Sequence, residues 1–366
     1  MERRGFLLGL LALPLWPAAQ AAAAVEFAPV LAGRRLAFPA DHGAHPDFRT
    51  EWWYATGWLS LPDGSPLGFQ TTFFRIRTGI GESSPSAFAP RQLVLAHAAI
   101  ADPGLGRLRH AERSARVGFG RAGFQLGQTG VWIGDWRFEL VGAGDEARYR
   151  AEVRAADFSY ALELLPDGPP LLNGVDGFSA KAADPRHASH YYSRPQLKVR
   201  GRISLDGREQ AVVGRAWLDH EWSTEVMPAG AQGWDWIGLN LHDGSALMAF
   251  RMRDGAGRAL WAAATLRAAG GATERFPAAA VVFTPQREWR SPRTGIRYPV
   301  AWRVSVGGRV FELQPLFDDQ ELDSRLSTGA VYWEGAVRVL DSSGSKREIG
   351  RGYLEMTGYG ERIRVG

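Results

Sequence analysis

The chain has 366 residues, 45% hydrophobic and 22% charged, an ordinary globular composition long enough for two cores. It contains no cysteine, which excludes disulfides, thiolate metal sites and a cysteine nucleophile. The formal charge is +4, but the arginines are scattered among acids and only Lys181, Lys198 and Lys346 are lysines, so no nucleic-acid partner is expected.

Residues 1–24 begin Met1-Glu2-Arg3-Arg4, continue through an apolar run to Leu13, and end in Ala19-Gln20-Ala21. A charged start, a short apolar stretch and an A-x-A site predict a signal peptide, and Arg3-Arg4-Gly5-Phe6-Leu7 fits the twin-arginine pattern. No later stretch approaches the roughly 20 apolar residues of a spanning helix, so no transmembrane segment is expected after signal removal. A periodic β-rich protein, periplasmic or secreted, is the expectation.

Asp41-His42-Gly43-Ala44-His45-Pro46-Asp47 offers two imidazoles and two carboxylates. Glycine and proline argue for a loop, and H-x-x-H metal sites need a third ligand or a helix, so a hydrogen-bonded loop is expected and no metal. Trp52 to Leu61, Asp63-Gly64, and Leu67 to Arg77 then read as strand, turn, strand. Glu51 abuts Trp52, Trp53 and Tyr54, and if buried it needs a partner; Arg75 or Arg77 is the natural candidate. His97 sits in the apolar run Leu93 to Ile100 and should face inward. Asp167 to His187, rich in Gly, Pro and Asp, reads as a long loop.

The strand–turn–strand signal returns at Arg202 to Leu205, Asp206-Gly207, Glu209 to Trp217. In Asp219-His220-Glu221-Trp222 the period of a strand puts His220 and Trp222 on one face, Asp219 and Glu221 on the other. Ser223 to Gly233, with Pro228 and two glycines, separates a domain of residues 25–222 from one of 223–366. Trp234-Asp235-Trp236 opens a further hairpin through Asp243-Gly244 that ends Phe250-Arg251-Met252-Arg253. It echoes Phe74-Arg75-Ile76-Arg77 and suggests a duplicated β-domain. Another hairpin follows at Val304 to Phe311, and a short helix is expected near Asp318 to Arg325. There is no G-x-S-x-G, no H-E-x-x-H, no phosphate loop and no dinucleotide fingerprint.

His42-(x2)-His45-Pro46-Asp47-Phe48-Arg49-Thr50-Glu51-Trp52-Trp53-Tyr54, Gly68-Phe69-Gln70-Thr71-Thr72-Phe73-Phe74-Arg75 and Trp217-Leu218-Asp219-His220-Glu221-Trp222-Ser223 together resemble one family. So do Gly233-Trp234-Asp235-Trp236, Tyr332-Trp333-Glu334-Gly335 and Gly352-Tyr353-Leu354-Glu355-Met356-Thr357-Gly358-Tyr359. The chain resembles the carotenoid 1,2-hydratase-like (AttH-like) family, whose exported members are labelled predicted secreted hydrolases. The resemblance implies an all-β fold of two tandem lipocalin-like β-barrels.

It also implies a reaction without a redox cofactor, the addition of water to a terminal isoprenoid double bond. The family's site histidine and tryptophan match His220 and Trp222. Its tyrosine and aspartate some thirty residues on do not match, because Met248-Ala249-Phe250-Arg251-Met252 aligns there. Catalysis is therefore expected from His220 with Asp219, Glu221 or Asp235 as the carboxylate, and no cofactor. Glu51, Trp53, Tyr54, Arg75, His97, Trp222, Trp234 and Trp236 are expected to surround an apolar ligand, an isoprenoid or other lipid. The rival reading is a non-catalytic carbohydrate- or lipid-binding accessory protein of the cell envelope.

Overall fold

A computed structural model describes residues 25–363; the segment 1–24, expected to be a signal peptide, lies outside the described residues. The first sheet contains β1 (Thr50–Ser60), β2 (Pro66–Arg77), β3 (Gln92–Asp102), β4 (Arg107–Arg116), β5 (Ala122–Phe124), β6 (Gly130–Ile133) and β7 (Trp136–Val141). It continues with β8 (Arg148–Arg154), β9 (Phe158–Leu165), β10 (Leu171–Leu172), β11 (Phe178–Ala180), β12 (Ala188–Leu205) and β13 (Arg208–Ser223). Its order is β4-β3-β2-β1-β13-β12-β9-β8-β7-β6-β5. The two ends approach each other where Arg113 of β4 donates to the Ile133 carbonyl of β6 at 3.1 Å, so this barrel is nearly closed.

The second sheet contains β14 (Gly233–Leu241), β15 (Ala246–Arg253), β16 (Ala259–Arg267), β17 (Thr273–Phe276), β18 (Val281–Arg290), β19 (Arg297–Val306), β20 (Arg309–Pro315), β21 (Glu321–Ser324), β22 (Ala330–Asp341) and β23 (Glu348–Met356). Its order is β17-β16-β15-β14-β23-β22-β20-β19-β18. In each sheet the first strand pairs with the second and with the last. The architecture is all-β, two lipocalin-like barrels in tandem.

Turn chemistry explains the hairpins. Asp206 and Gly207 both take positive φ (48° and 80°), the two-residue turn that matches strand twist. The β1–β2 turn is longer, and Gly64, at φ 85°, supplies its left-handed residue. Two readings change. Asp318 to Arg325 is not a helix, because Asp318 and Asp319 are tied to Arg287 and Arg293, and Glu321–Ser324 forms a ladder with Ala330–Trp333. Asp167 to His187 is not all loop, since β10 and β11 both pair with β12.

Alternation along β1 builds the core. Trp53, Ala55 and Leu59 point into the first barrel with Phe69, Phe138 and Leu162, whereas Tyr54 and Trp58 point outward. Outward does not mean solvent here. Tyr54, Trp58, Trp217, Trp236, Phe250 and Tyr353 form a third apolar cluster that joins the barrels. Burying both faces explains why β1 reads as a continuous apolar run, and each large side chain contributes roughly 1.5–3 kcal/mol of burial. Polar clamps fix the seam: Trp58 Nε1 donates to the Gly352 carbonyl at 3.0 Å, and Asn240 Nδ2 to the Ala216 carbonyl at 3.0 Å.

Candidate functional site between the barrels

A cavity of about 270 Å³ lies in this seam. Strand register lays its first wall in two rows. His97, Thr72, Tyr54, Asp219 and Ser193 are successive cross-strand neighbours, and Phe74, Trp52, Glu221 and Tyr191 form the next row. Trp236, Glu355 and Glu334 form one row of the facing wall, with Phe250 beside Trp236. Aromatic side chains thus surround several ionisable groups with little access to water.

Asp219 accepts from Tyr191 Oη, Ser193 Oγ and Trp217 Nε1, each at 2.6 Å. Burial nevertheless pushes its carboxyl up to about 7, against those hydrogen bonds and helped by nearby Glu221. Trp236 Nε1 donates to Tyr191 Oη at 3.0 Å, which directs the phenol proton toward Asp219. Glu221 is differently placed, paired with Lys181 at 2.7 Å and bonded to Ser189 Oγ. The Lys181 ammonium also lies 4.3 Å from the Phe250 ring centroid.

On the facing wall, Glu334 Oε1 accepts from Tyr54 Oη, whereas Oε2 is buried without any partner. Burial, and then the neighbouring Glu355, raise the Glu334 carboxyl well above its ordinary range. Burial raises Glu355 to about 8, reinforced by Asp219 and Glu221. Glu334 is therefore a neutral acid at pH 7, with one oxygen free inside an apolar cavity. His97 is hydrogen-bonded to Tyr332 Oη at 2.8 Å and Ser327 Oγ at 2.9 Å, and burial holds it near 3, so its imidazole is neutral.

The opposite faces of β1 and β13 carry a second constellation. Glu51 is bonded to the His45 amide at 2.9 Å, His45 Nδ1 at 2.8 Å, His220 Nε2 at 2.9 Å and Arg75 Nε at 2.8 Å. Burial alone would raise its carboxyl, but His45, His220 and Arg75 outweigh burial and hold it well below 4.5. Trp53 stacks on His220 with centroids 4.8 Å apart, and His45 stacks on Trp222 at 3.6 Å.

Ligand atoms of His45, Glu51 and His220 lie within 4.8 Å of one another, the spacing of a metal site. The donor set does not fit a cation, because the Arg75 guanidinium is already there and nitrogen donors fill both Glu51 oxygens. The His42/His45 pair does not converge, since His42 Nδ1 is bonded to Tyr192 Oη at 2.8 Å instead.

The sequence-expected residues therefore divide. Tyr54, His97, Asp219, Glu221, Trp234 and Trp236 line the cavity. Glu51, Trp53, Arg75, His220 and Trp222 sit across the sheet from it. Asp235 also faces away, held by Arg251 at 2.6 Å and Tyr359 Oη at 2.9 Å, which leaves it no route to a ligand. Arg251 is thereby turned from the cavity as well. Glu334, Glu355, Tyr191 and Lys181 were not expected from sequence. The available signal was a carboxylate inside an apolar strand, in Tyr332-Trp333-Glu334-Gly335 and Leu354-Glu355-Met356.

Comparisons with known proteins agree with this architecture. A Nitrosomonas europaea protein assigned as an AttH is 49% identical, covers 91% of this chain and 100% of its own, and superposes with a TM-score of 0.83. Kievitone hydratase from Nectria haematococca is 15% identical over 92% of this chain and 97% of its own, with a TM-score of 0.68. CghA with Sch210972 is 14% identical over 84% and 88%, with a TM-score of 0.53. At these low identities the last two show a shared fold. No curated protein sequence matches significantly. The AttH-like family model matches residues 29–359, and the chain belongs to the AttH-like family.

Proposed function

We propose that this exported protein holds an apolar small molecule, an isoprenoid or other lipid, between its barrels and adds water to it without a cofactor. The observation that carries the reading is Glu334, a buried neutral carboxyl with Oε2 free in an aromatic cavity. At about 270 Å³ the cavity is at the small end of ligand pockets, suited to a small molecule or the terminal unit of a longer one.

In the proposed step, Glu334 gives its proton to one alkene carbon, and the other carbon becomes a cation facing Trp52, Tyr54 and Trp236. Water attacks that carbon and its proton passes to ionised Asp219 through Tyr191. Return of that proton from Asp219 to the Glu334/Glu355 pair restores the site. One C–H and one C–O bond form, the π bond breaks, and no electron acceptor is needed. A hydratase of the same fold makes water addition the first reaction to assay.

Native mass spectrometry with lipid extraction tests the binding half. A co-purifying isoprenoid or lipid lost on Trp236→Ala supports it, and a chain that stays empty with added lipids while shifting with oligosaccharides overturns it. Incorporation of one labelled oxygen from oxygen-18 water into the ligand, strongly reduced in Glu334→Gln, tests the chemistry. Binding without incorporation would leave the accessory-protein reading. Cytoplasmic retention after Arg3→Lys with Arg4→Lys checks the export route.

A further inference from the structure

The seam continues beyond the apolar cavity. Trp52, Tyr54, Thr56 and Trp58 run along one face of β1, and Glu221, Asp219, Trp217 and Arg215 run beside them on β13. Across the seam, Glu355, Tyr353 and Arg351 run along β23. Trp58, Trp217, Trp236 and Tyr353 plug the middle of the seam. Beyond that plug the seam opens into a cleft of about 940 Å³ whose walls come from both barrels.

Three arginines from three strands converge on this cleft: Arg215 of β13, Arg267 of β16 and Arg351 of β23. Arg267 is only 9% exposed, and among the described residues its side chain makes one hydrogen bond, from Nη1 to the Pro169 carbonyl at 3.0 Å. Burial and the nearby Arg194 act against its charge, with Asp167 as the countering group. Among the described residues, neither Arg267 nor Arg215 has a carboxylate within 4.0 Å. Arg215 has only long contacts to Gln196, the shortest 3.3 Å.

The acid at the rim, Asp167, is paired with Lys198 at 3.2 Å. Arg351 is held by Glu348 at 2.7 Å and lies over Trp58, which fixes its position in the wall. The Arg267 guanidinium, kept from water without a carboxylate, calls for an anion, and the exposed Arg215 lines the same cleft with a second planar fork suited to oxyanions.

We propose that this cleft is a second binding site, separate from the apolar cavity, for a ligand bearing a multivalent oxyanion, gripped by Arg267 and Arg215 with Arg351 as the fixed wall. The charged group is a phosphate or a carboxylate cluster. The half-apolar walls at Val199, Val213, Leu241 and Pro169 accept the body that carries it.

Calorimetric titration of the mature full chain with inorganic pyrophosphate and with citrate, at matched ionic strength against chloride, tests the assignment. Saturable binding of either probe at one site per chain is expected, and the stronger of the two identifies the phosphate or carboxylate source. Arg267→Gln and, independently, the exposed Arg215→Gln should each weaken it at least tenfold. Glu334→Gln in the apolar cavity should leave it unchanged, so this site stands or falls apart from the proposed water addition. Heats that match chloride, or affinities that survive both arginine substitutions, would overturn the proposal.

Discussion

Glu334→Gln isolates the reasoning about the cavity acid, because glutamine copies a protonated carboxyl but cannot titrate. The carboxyl's folded pKa is raised above the ordinary 4.5, so its contribution to stability is complete below 4.5 and is lost as pH rises. Above 4.5 the unfolded chain releases the proton while the native cavity retains it. Wild type alone should therefore lose up to about 1.4 kcal/mol per pH unit above 4.5 for as long as the native carboxyl stays protonated. The variant's amide places an N–H where the neutral acid already carries an unpartnered O–H, so it adds little cost of its own. The variant should match wild type closely near and below pH 4.5 and should become the more stable protein as pH rises above it. Urea unfolding at half-unit steps of pH reads this directly. Parallel stability curves would mean that Glu334 titrates alike in both states, and the acid assignment would be refuted. In the same variant turnover should fall about 10²–10⁴-fold with ligand retention intact.

The rate of water addition should be bell-shaped in pH, rising as Asp219 ionises near 7 and falling at higher pH as the raised Glu334 acid loses its proton; Asp219→Asn should erase the acidic limb in a rate profile. Trp222→Ala and Trp236→Ala should each destabilise by about 3–5 kcal/mol in denaturant titrations, but only Trp236→Ala should lose ligand by native mass spectrometry. Arg75→Met leaves Glu51 charged and buried, so it should cost about 3–5 kcal/mol, and Glu51→Gln added to it should recover most of that in a double-mutant cycle. Burial would raise Asp41, yet bonds from His45, the Ala37 amide and Arg34 hold it near 2; its stabilisation is present above 3.8 and lost as pH falls toward 2, so Asp41→Asn should differ least from wild type in acid unfolding at the lowest pH.

Local patterns disclosed what local physics decides. Asp-Gly turns marked the hairpins, and parity along Asp219-His220-Glu221-Trp222 separated the two faces of β13 correctly. Charge need narrowed the partner of Glu51 to Arg75 or Arg77, and Arg75 is the one that pairs with it. Parity does not say which face meets a ligand, and that depends on a barrel more than a hundred residues away. Tyr54 and Glu334 touch although 280 positions separate them, so no window of sequence joins them. Asp318 to Arg325 misled for the reverse reason. Its acids and Leu322 fit a helical turn until arginines from β18 and the following loop, and the β22 ladder, claim them.

Glu51 and Glu334 show why burial alone does not mark a catalytic group here. Both carboxyls are wholly removed from water. Glu51 meets imidazoles, an amide and a guanidinium, and these nitrogens make its anion cheaper than its acid. Glu334 meets one phenol and a neighbouring carboxyl, so its acid is cheaper than its anion. Ionised and saturated, Glu51 can only tie β1, β2, β13 and the His45 loop together. Neutral and with one oxygen unmet, Glu334 can release a proton only when a bound molecule supplies the partner that the fold withholds. That difference in donors, more than the histidine on the far face of β13, is why the proposed chemistry belongs between the barrels.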